Sequence, residues 1–80
     1  MNWKDYIEIN DNILSGKPVL KGTRLSVAHI LHLLASGWTS EQLLANYPRL
    51  TPQKLQAIFA YIEDNMQDGL LFPNENRQEA

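Results

Sequence analysis

The residues best suited to chemistry in this 80-residue chain are basic, and they cluster in its middle. Residues 17–54 carry five lysines and arginines against Glu41 alone, whereas residues 1–16 carry Lys4 against three acidic residues and residues 55–80 carry Arg77 against five. Basic clusters of this kind bind phosphate groups. A chain with two different partners would have this division, and so would a surface whose uneven charge has no function.

The segment 16–27 combines glycines with basic residues, the composition of a phosphate-binding loop. The P-loop pattern fails, because Gly22 is followed by Thr23 and Arg24 and no Gly-Lys-Ser/Thr occurs in frame. Two interpretations remain. In one, the glycines form turns, Thr23 hydrogen-bonds locally and Arg24 fixes a hairpin against helices. In the other, the same turns present basic side chains to phosphates, namely Lys17, Lys21 and Arg24.

His29 and His32 stand three residues apart and could begin a metal site on a helix. The chain has no cysteine, and no third ligand stands at a supporting spacing. No nucleophile elbow links the serines, histidines and aspartates. We therefore expect no metal, no cofactor and no enzyme activity, and we interpret the two histidines as partly exposed helix residues.

Two short extended segments precede the helices. Tyr6 to Asn10 alternates large apolar and polar residues, and residues 18–21 lie between Gly16 and Gly22, which permit tight turns. This pattern predicts a short N-terminal β-hairpin arm. Because an isolated two-stranded hairpin is marginally stable, the arm must pack on the helices or pair with a second copy.

N-cap residues precede three runs of apolar residues at helical spacing: Ser26 before the first, Thr39 or Ser40 before the second and Thr51 before the third. Thr39 and Gln42 fit a capping box, and Pro48 requires the second helix to stop by residue 47. The predicted helices cover residues 27–36, 40–47 and 52–69.

Three helices with tight connections favour a mainly α, trihelical helix-turn-helix domain over residues 1–69, followed by a C-terminal tail over 70–80. The third helix would be the recognition helix. Its outward side is predicted to carry Gln53, Lys54 and Ala57, and its apolar stripe consists of Leu55, Ile58, Phe59, Ile62 and Met66.

Three motifs also carry a family resemblance: residues 16–27, residues 30–38 and the Tyr-Pro-Arg-Leu-Thr run at 47–51, followed by an amphipathic helix. In order and spacing they resemble the bacterial family domain of unknown function 433, which looks like a VapB-type antitoxin. The resemblance covers about residues 5 to 65. It implies a homeodomain-like helix-turn-helix and a neighbouring PIN-like ribonuclease toxin that the protein would hold inactive.

Two positions depart from the family pattern. Gln53 and Lys54 stand where the family often has an acidic pair, which favours DNA binding here. Residues 12–15 lack the proline that the family commonly has, which leaves the shape of the first turn open.

We therefore expect a cytoplasmic, homodimeric antitoxin of a type II toxin-antitoxin pair, without a membrane span because no apolar stretch approaches about 20 residues. Its C-terminal half would bind the toxin, with Leu70, Leu71 and Phe72 in contact, or those residues would simply complete the core. The alternative is a DNA-independent adaptor that uses the helix-turn-helix as a scaffold. Operator binding would use Lys17, Lys21, Arg24, Arg49, Thr51, Gln53 and Lys54.

Overall fold

A computed structural model describes residues 1–67 of the chain. It has three helices and a small two-stranded antiparallel sheet, which confirms the mainly helical prediction with a short β arm. The predicted end of the third helix, near Gly69, lies outside the described residues. The strands are β1 (Ile7–Glu8) and β2 (Val19–Leu20), and the helices are α1 (Val27–Ala35), α2 (Ser40–Asn46) and α3 (Pro52–Gln67).

The β arm packs on the helices. Ile7 pairs with Leu20 and Glu8 with Val19, and the Lys21 amide donates to the Tyr6 carbonyl at 2.8 Å. Ile7 and Leu20 are buried in the same apolar cluster as residues from all three helices. This burial supplies the stability that two isolated strands of this length would lack.

The ends of α1 follow from three residues. The Ser26 hydroxyl accepts a hydrogen bond from the His29 amide at 3.0 Å, which caps the N-terminus. At the C-terminus Gly37 adopts a φ of 105°, and the Trp38 amide donates to the Leu33 carbonyl in a Schellman motif. The glycine therefore turns the chain sharply into α2 and places Trp38 against the core.

The predicted capping box opens α2. The Gln42 amide donates to the Thr39 hydroxyl at 3.1 Å, and the Thr39 amide donates to the Gln42 side-chain oxygen at 2.8 Å. Tyr47 is the C-cap, immediately before the proline. Leu43 is the buried residue that anchors this short helix to the core.

Helix α3 begins at the predicted cap, where the Thr51 hydroxyl accepts from the Lys54 amide at 3.2 Å. Leu55 and Ile58 are buried as expected, whereas Met66, which was predicted on the same apolar stripe, is 38% exposed. Two further assignments on this helix are also wrong. Ala57 is fully buried instead of facing outward, and Phe59 is 50% exposed instead of belonging to the core.

The N-terminal turn explains the burial of Ala57. Residues 3–5 form a short 3-10 turn that lies against α3, with the Trp3 and Tyr61 rings 4.9 Å apart in an edge-on arrangement. The Trp3 indole N–H donates to the Asp64 carboxylate. Because Ala57 lies one turn before Tyr61, it shares the side of α3 that this turn covers.

Among residues 1–67, nine buried apolar residues from the arm, the helices and one turn form one core cluster: Ile7, Leu20, Val27, Ile30, Leu43, Leu50, Leu55, Ala57 and Ile58. Within residues 1–67, no helix is both long and apolar enough to cross a membrane.

Candidate nucleic-acid interface

Two basic motifs that lie far apart in the sequence meet on one side of the domain. The Arg49 guanidinium donates from Nη1 to the Gly22 carbonyl at 3.0 Å, across 27 residues of chain. Gly22 has a φ of 75° at the turn that follows β2, a conformation that glycine adopts without strain. The turn after β2 and the connection between α2 and α3 are therefore joined directly.

Thr23 fixes the shape of the first motif. Its hydroxyl donates to the Leu20 carbonyl at 2.7 Å and accepts from the Leu25 amide at 3.0 Å, which confirms the predicted local hydrogen bonding. The adjacent Arg24 side chain is exposed. The tie between the hairpin and the helices is made by Arg49 and not by Arg24, which corrects one of the sequence-based interpretations.

Lys54 extends this arrangement onto α3. Its Nζ donates to the Arg49 carbonyl at 2.9 Å, while its amide is the group that Thr51 caps. The half-buried lysine therefore holds its charge beside the connection that precedes α3. Gln53, in the first turn of the same helix, is exposed.

Two open clefts flank the junction and share Thr23, Arg24 and Arg49 among their lining residues. The larger has a volume of about 610 Å³, and the smaller one of about 320 Å³ is lined mainly by apolar surface. The remaining lining residues are Glu8, Ile13 and Gly22 in the larger cleft and Leu25, Tyr47 and Pro48 in the smaller one.

The two guanidinium groups determine what the clefts can bind. Arginine presents a planar set of N–H donors that matches the oxygens of a phosphate or carboxylate. Glu8 is half-buried on the wall of the larger cleft and offsets part of this positive charge. An anionic ligand is therefore expected beside Arg24 and Arg49 in the smaller cleft, which Glu8 does not line.

Of the predicted site residues, the structure brings Arg24, Arg49, Thr51 and Lys54 together around this junction, with Gln53 next to them on α3. Lys21 is exposed immediately before Gly22. Lys17 is also exposed, at the opposite end of β2, and does not line either cleft. The predicted partner-binding residues Leu70, Leu71 and Phe72 lie outside the described residues.

Sequence reasoning missed Glu8 and Tyr47 as part of this site. Glu8 enters the cleft because β1 pairs with β2, and a two-residue strand gives no indication of which side chain faces a distant arginine. Tyr47 contributes to the smaller cleft, where its hydroxyl is 3.1 Å from His29 Nε2 and its ring is 6.4 Å from that of Trp38. The proline after Tyr47 predicted only a helix end.

His29 is exposed, and its ring lies edge-on to that of Tyr47. Among residues 1–67, no three histidine, aspartate or glutamate side chains are grouped so that they could hold a metal ion.

The order of motifs around this junction matches a known family. The model of the family described as "Protein of unknown function (DUF433)" matches residues 7–62. The chain belongs to the DUF433 family. This match confirms the family resemblance, and it includes both motifs that meet at the Arg49–Gly22 hydrogen bond.

Two DUF433-related proteins show how far the similarity extends. Uncharacterized protein y4eO from Sinorhizobium fredii is 31% identical over 62 residues, which are 78% of this chain and 28% of that protein. A crystal structure of a DUF433 member protein from Anabaena variabilis has 31% identity and a TM-score of 0.73, covering 81% of this chain and 64% of that chain. The chain thus spans about a quarter of the first relative and slightly under two thirds of the second.

Proposed function

We propose that this DUF433 protein is the antitoxin of a type II toxin-antitoxin pair that neutralises a PIN-like ribonuclease toxin. It binds DNA through Arg24, Arg49, Lys54 and the neighbouring Lys21, which we name the basic junction. In this proposal α2 and α3 form a homeodomain-like helix-turn-helix, and the protein acts in the cytoplasm as a homodimer. The observation that carries the DNA-binding half is the convergence of Arg24, Arg49 and Lys54 where the turn after β2 meets the connection before α3.

The position of these charges suits a protein that binds the DNA backbone. In helix-turn-helix proteins the start of the recognition helix enters the major groove, and residues beside it contact phosphates. Here Arg49 and Lys54 lie immediately before and within the first turn of α3, and Gln53 is exposed between them. Phosphate contacts fix the position of a protein on the duplex, whereas glutamine side chains can read base edges.

The toxin-binding half is supported by the family resemblance and by charge. Residues 55–80 carry five acidic residues and Arg77 as their one basic residue, and the apolar run Leu70-Leu71-Phe72 lies within them. An acidic segment with apolar anchors suits a basic protein surface. The basic and acidic parts of the chain would then serve two different partners.

A second candidate is an adaptor that binds only proteins. It is favoured by Phe59, which is 50% exposed on the helix that would otherwise enter DNA. A large exposed aromatic residue is common at protein interfaces.

Salt dependence distinguishes the two functions. We expect the full chain to bind a duplex that contains the region upstream of its own gene, with an affinity that falls steeply as salt rises, since each neutralised phosphate contributes about −0.9 to the slope of log K against log salt. A slope of about −3 or steeper supports DNA binding. No binding at low salt, or binding with a slope near zero, would leave the adaptor as the better assignment.

A further inference from the structure

The outer side of α3 carries an apolar stripe that the fold covers only in part, since Ile62 packs against the core while its two neighbours in the stripe are exposed. Phe59 is 50% exposed and Met66 is 38% exposed, and Ile62 between them is half-buried. The three stand at positions i, i+3 and i+7, so their side chains are neighbours along one side of the helix. We name Phe59, Ile62 and Met66 the outer stripe.

The outer stripe lies away from the two features that already occupy α3. The N-terminal turn covers the opposite side, where Trp3 contacts Tyr61 and Asp64 and where Ala57 is buried. The basic junction lies at the helix start, and Gln53 and Met66 are separated by about 20 Å at the ordinary rise of 1.5 Å per residue. A ligand of the basic junction and a ligand of the stripe could therefore bind together.

The charge beside the outer stripe is negative. Glu63 is exposed and stands four residues after Phe59 and three before Met66, so it borders both side chains. After Lys54, α3 contains no lysine or arginine, and the one other acidic residue, Asp64, accepts the Trp3 indole N–H. Lys4 lies 5.8 Å from the Trp3 ring, which places its charge on the covered side of α3.

We propose that the outer stripe is a docking surface for a protein partner that presents a basic amphipathic helix, with apolar side chains against Phe59, Ile62 and Met66 and a lysine or arginine opposite Glu63. This inference rests on the protein-binding half of the proposed function. The inference adds which surface of this chain binds the partner and what charge and shape the partner has. Helices bind such surfaces through anchors at i, i+3 and i+7, and opposite charges at the rim fix orientation and speed encounter.

A second copy of the chain fits this surface less well. Antiparallel pairing of two α3 helices about a two-fold axis near Ile62 brings Glu63 of each copy close to Glu63 of the other. Two carboxylates that lie close together repel each other and destabilise such a pair. The same charge attracts a basic partner.

The test uses two synthetic amphipathic helical peptides with identical leucine faces, one with lysines and one with glutamates at its polar positions. Binding to the full-length protein is measured by fluorescence anisotropy. We expect the lysine peptide to bind more tightly, Phe59→Gln to weaken it about tenfold, and Glu63→Lys to reverse the preference between the peptides. Tenfold corresponds to about 1.4 kcal/mol.

Ile9→Gln is the matched control, because Ile9 is 57% exposed on the arm and is not part of the outer stripe. Ile9→Gln should leave peptide binding unchanged. Both Ile9→Gln and Phe59→Gln should retain the wild-type melting temperature within a few degrees, since neither side chain is in the core. Met66→Gln provides a second substitution in the stripe and should also weaken binding.

Several results would overturn the proposal. Equal binding of the two peptides, or equal losses in Phe59→Gln and Ile9→Gln, would show that the stripe is not a selective surface. A concentration-dependent dimer in sedimentation velocity that Phe59→Gln dissociates would identify a second copy as the occupant. A tenfold gain in peptide affinity in the double variant Leu71→Ser, Phe72→Ser would identify the tail.

The outcome is separable from that of the proposed function. Neutralisation of a toxin that is unaffected by Phe59→Gln and Met66→Gln would overturn the docking surface and leave the antitoxin assignment standing. Selective peptide binding without any toxin neutralisation would support the docking surface and overturn the antitoxin assignment.

Discussion

Replacing Arg24 by glutamine should change the salt dependence of DNA binding by a defined amount. Arg24 lines both clefts and is exposed, and Arg49, not Arg24, makes the hydrogen bond that joins the turns. The substitution therefore removes a charge from the basic junction while leaving that connection intact. Glutamine keeps a polar side chain that can donate hydrogen bonds, but it is shorter and uncharged.

The magnitude follows from the number of basic side chains. If Lys21, Arg24, Arg49 and Lys54 each neutralise one phosphate, the wild-type slope is about −3.6, and raising salt from 50 to 200 mM lowers affinity about 150-fold. Without Arg24 the slope becomes about −2.7, and the same change lowers affinity about 40-fold. The assay is fluorescence anisotropy of a labelled duplex at four or more salt concentrations.

Lys4→Gln is the control, because Lys4 lies beside the Trp3 ring and outside the basic junction. Its slope should equal that of the wild type. Equal slopes for wild type and Arg24→Gln, or an equal reduction in Lys4→Gln and Arg24→Gln, would refute the assignment of phosphate contacts to this junction.

Three further substitutions test the fold that positions the junction. Leu43→Ala removes the buried anchor of α2 and should lower the free energy of unfolding by about 2 to 5 kcal/mol, which is comparable to the whole stability of a core this small. Circular dichroism should therefore show a largely unfolded chain at 37 °C. A cooperative melt near the wild-type temperature would contradict the packing. Thr39→Ala removes half of the capping box and should cost about 1 kcal/mol, which lowers the melting temperature by about 4 to 8 °C, whereas an unchanged melt would show that the cap contributes nothing. In Gly22→Ala the added Cβ meets no atom within 4 Å, but the alanine must adopt a φ of +75°. Chemical denaturation should therefore show that the free energy of unfolding falls by about 1 to 2 kcal/mol from backbone strain alone. A gain in stability would refute that conformation.

Local signals predicted most of the secondary structure. Ser26, Thr39 and Thr51 each cap the helix that they were expected to cap, because capping depends on hydrogen bonds within three residues of the cap. Gly37 ends α1 for a similarly local reason, since its positive φ closes the Schellman motif. Such features can be identified without knowledge of the tertiary fold.

The errors on α3 have a tertiary cause. Helical spacing placed Phe59 on the apolar stripe, but spacing alone does not fix which part of a wide stripe is covered. The N-terminal turn reaches α3 through Trp3 and Asp64, which are 61 residues apart, and it covers the side that includes Ala57. No local pattern predicts a contact over that separation.

The candidate site was predicted as a set of residue types and not as a geometry. Charge counting identified Arg24, Arg49 and Lys54, but the hydrogen bond between Arg49 and Gly22 spans 27 residues. Glu8 joins the cleft only through the pairing of β1 with β2. The sequence therefore predicted an anion-binding surface, and the structure shows that Lys54 is hydrogen-bonded to Arg49 and that Arg24 lines the same clefts as Arg49.

Co-expression with the product of the adjacent gene tests the antitoxin assignment most directly. Cells that express that gene alone should arrest, and cells that also express the tagged full-length chain should grow and yield a stable complex of the two proteins. Growth without arrest when the adjacent gene is expressed alone would contradict the assignment. Arrest that the chain does not relieve, with no complex of the two proteins on purification, would also contradict it.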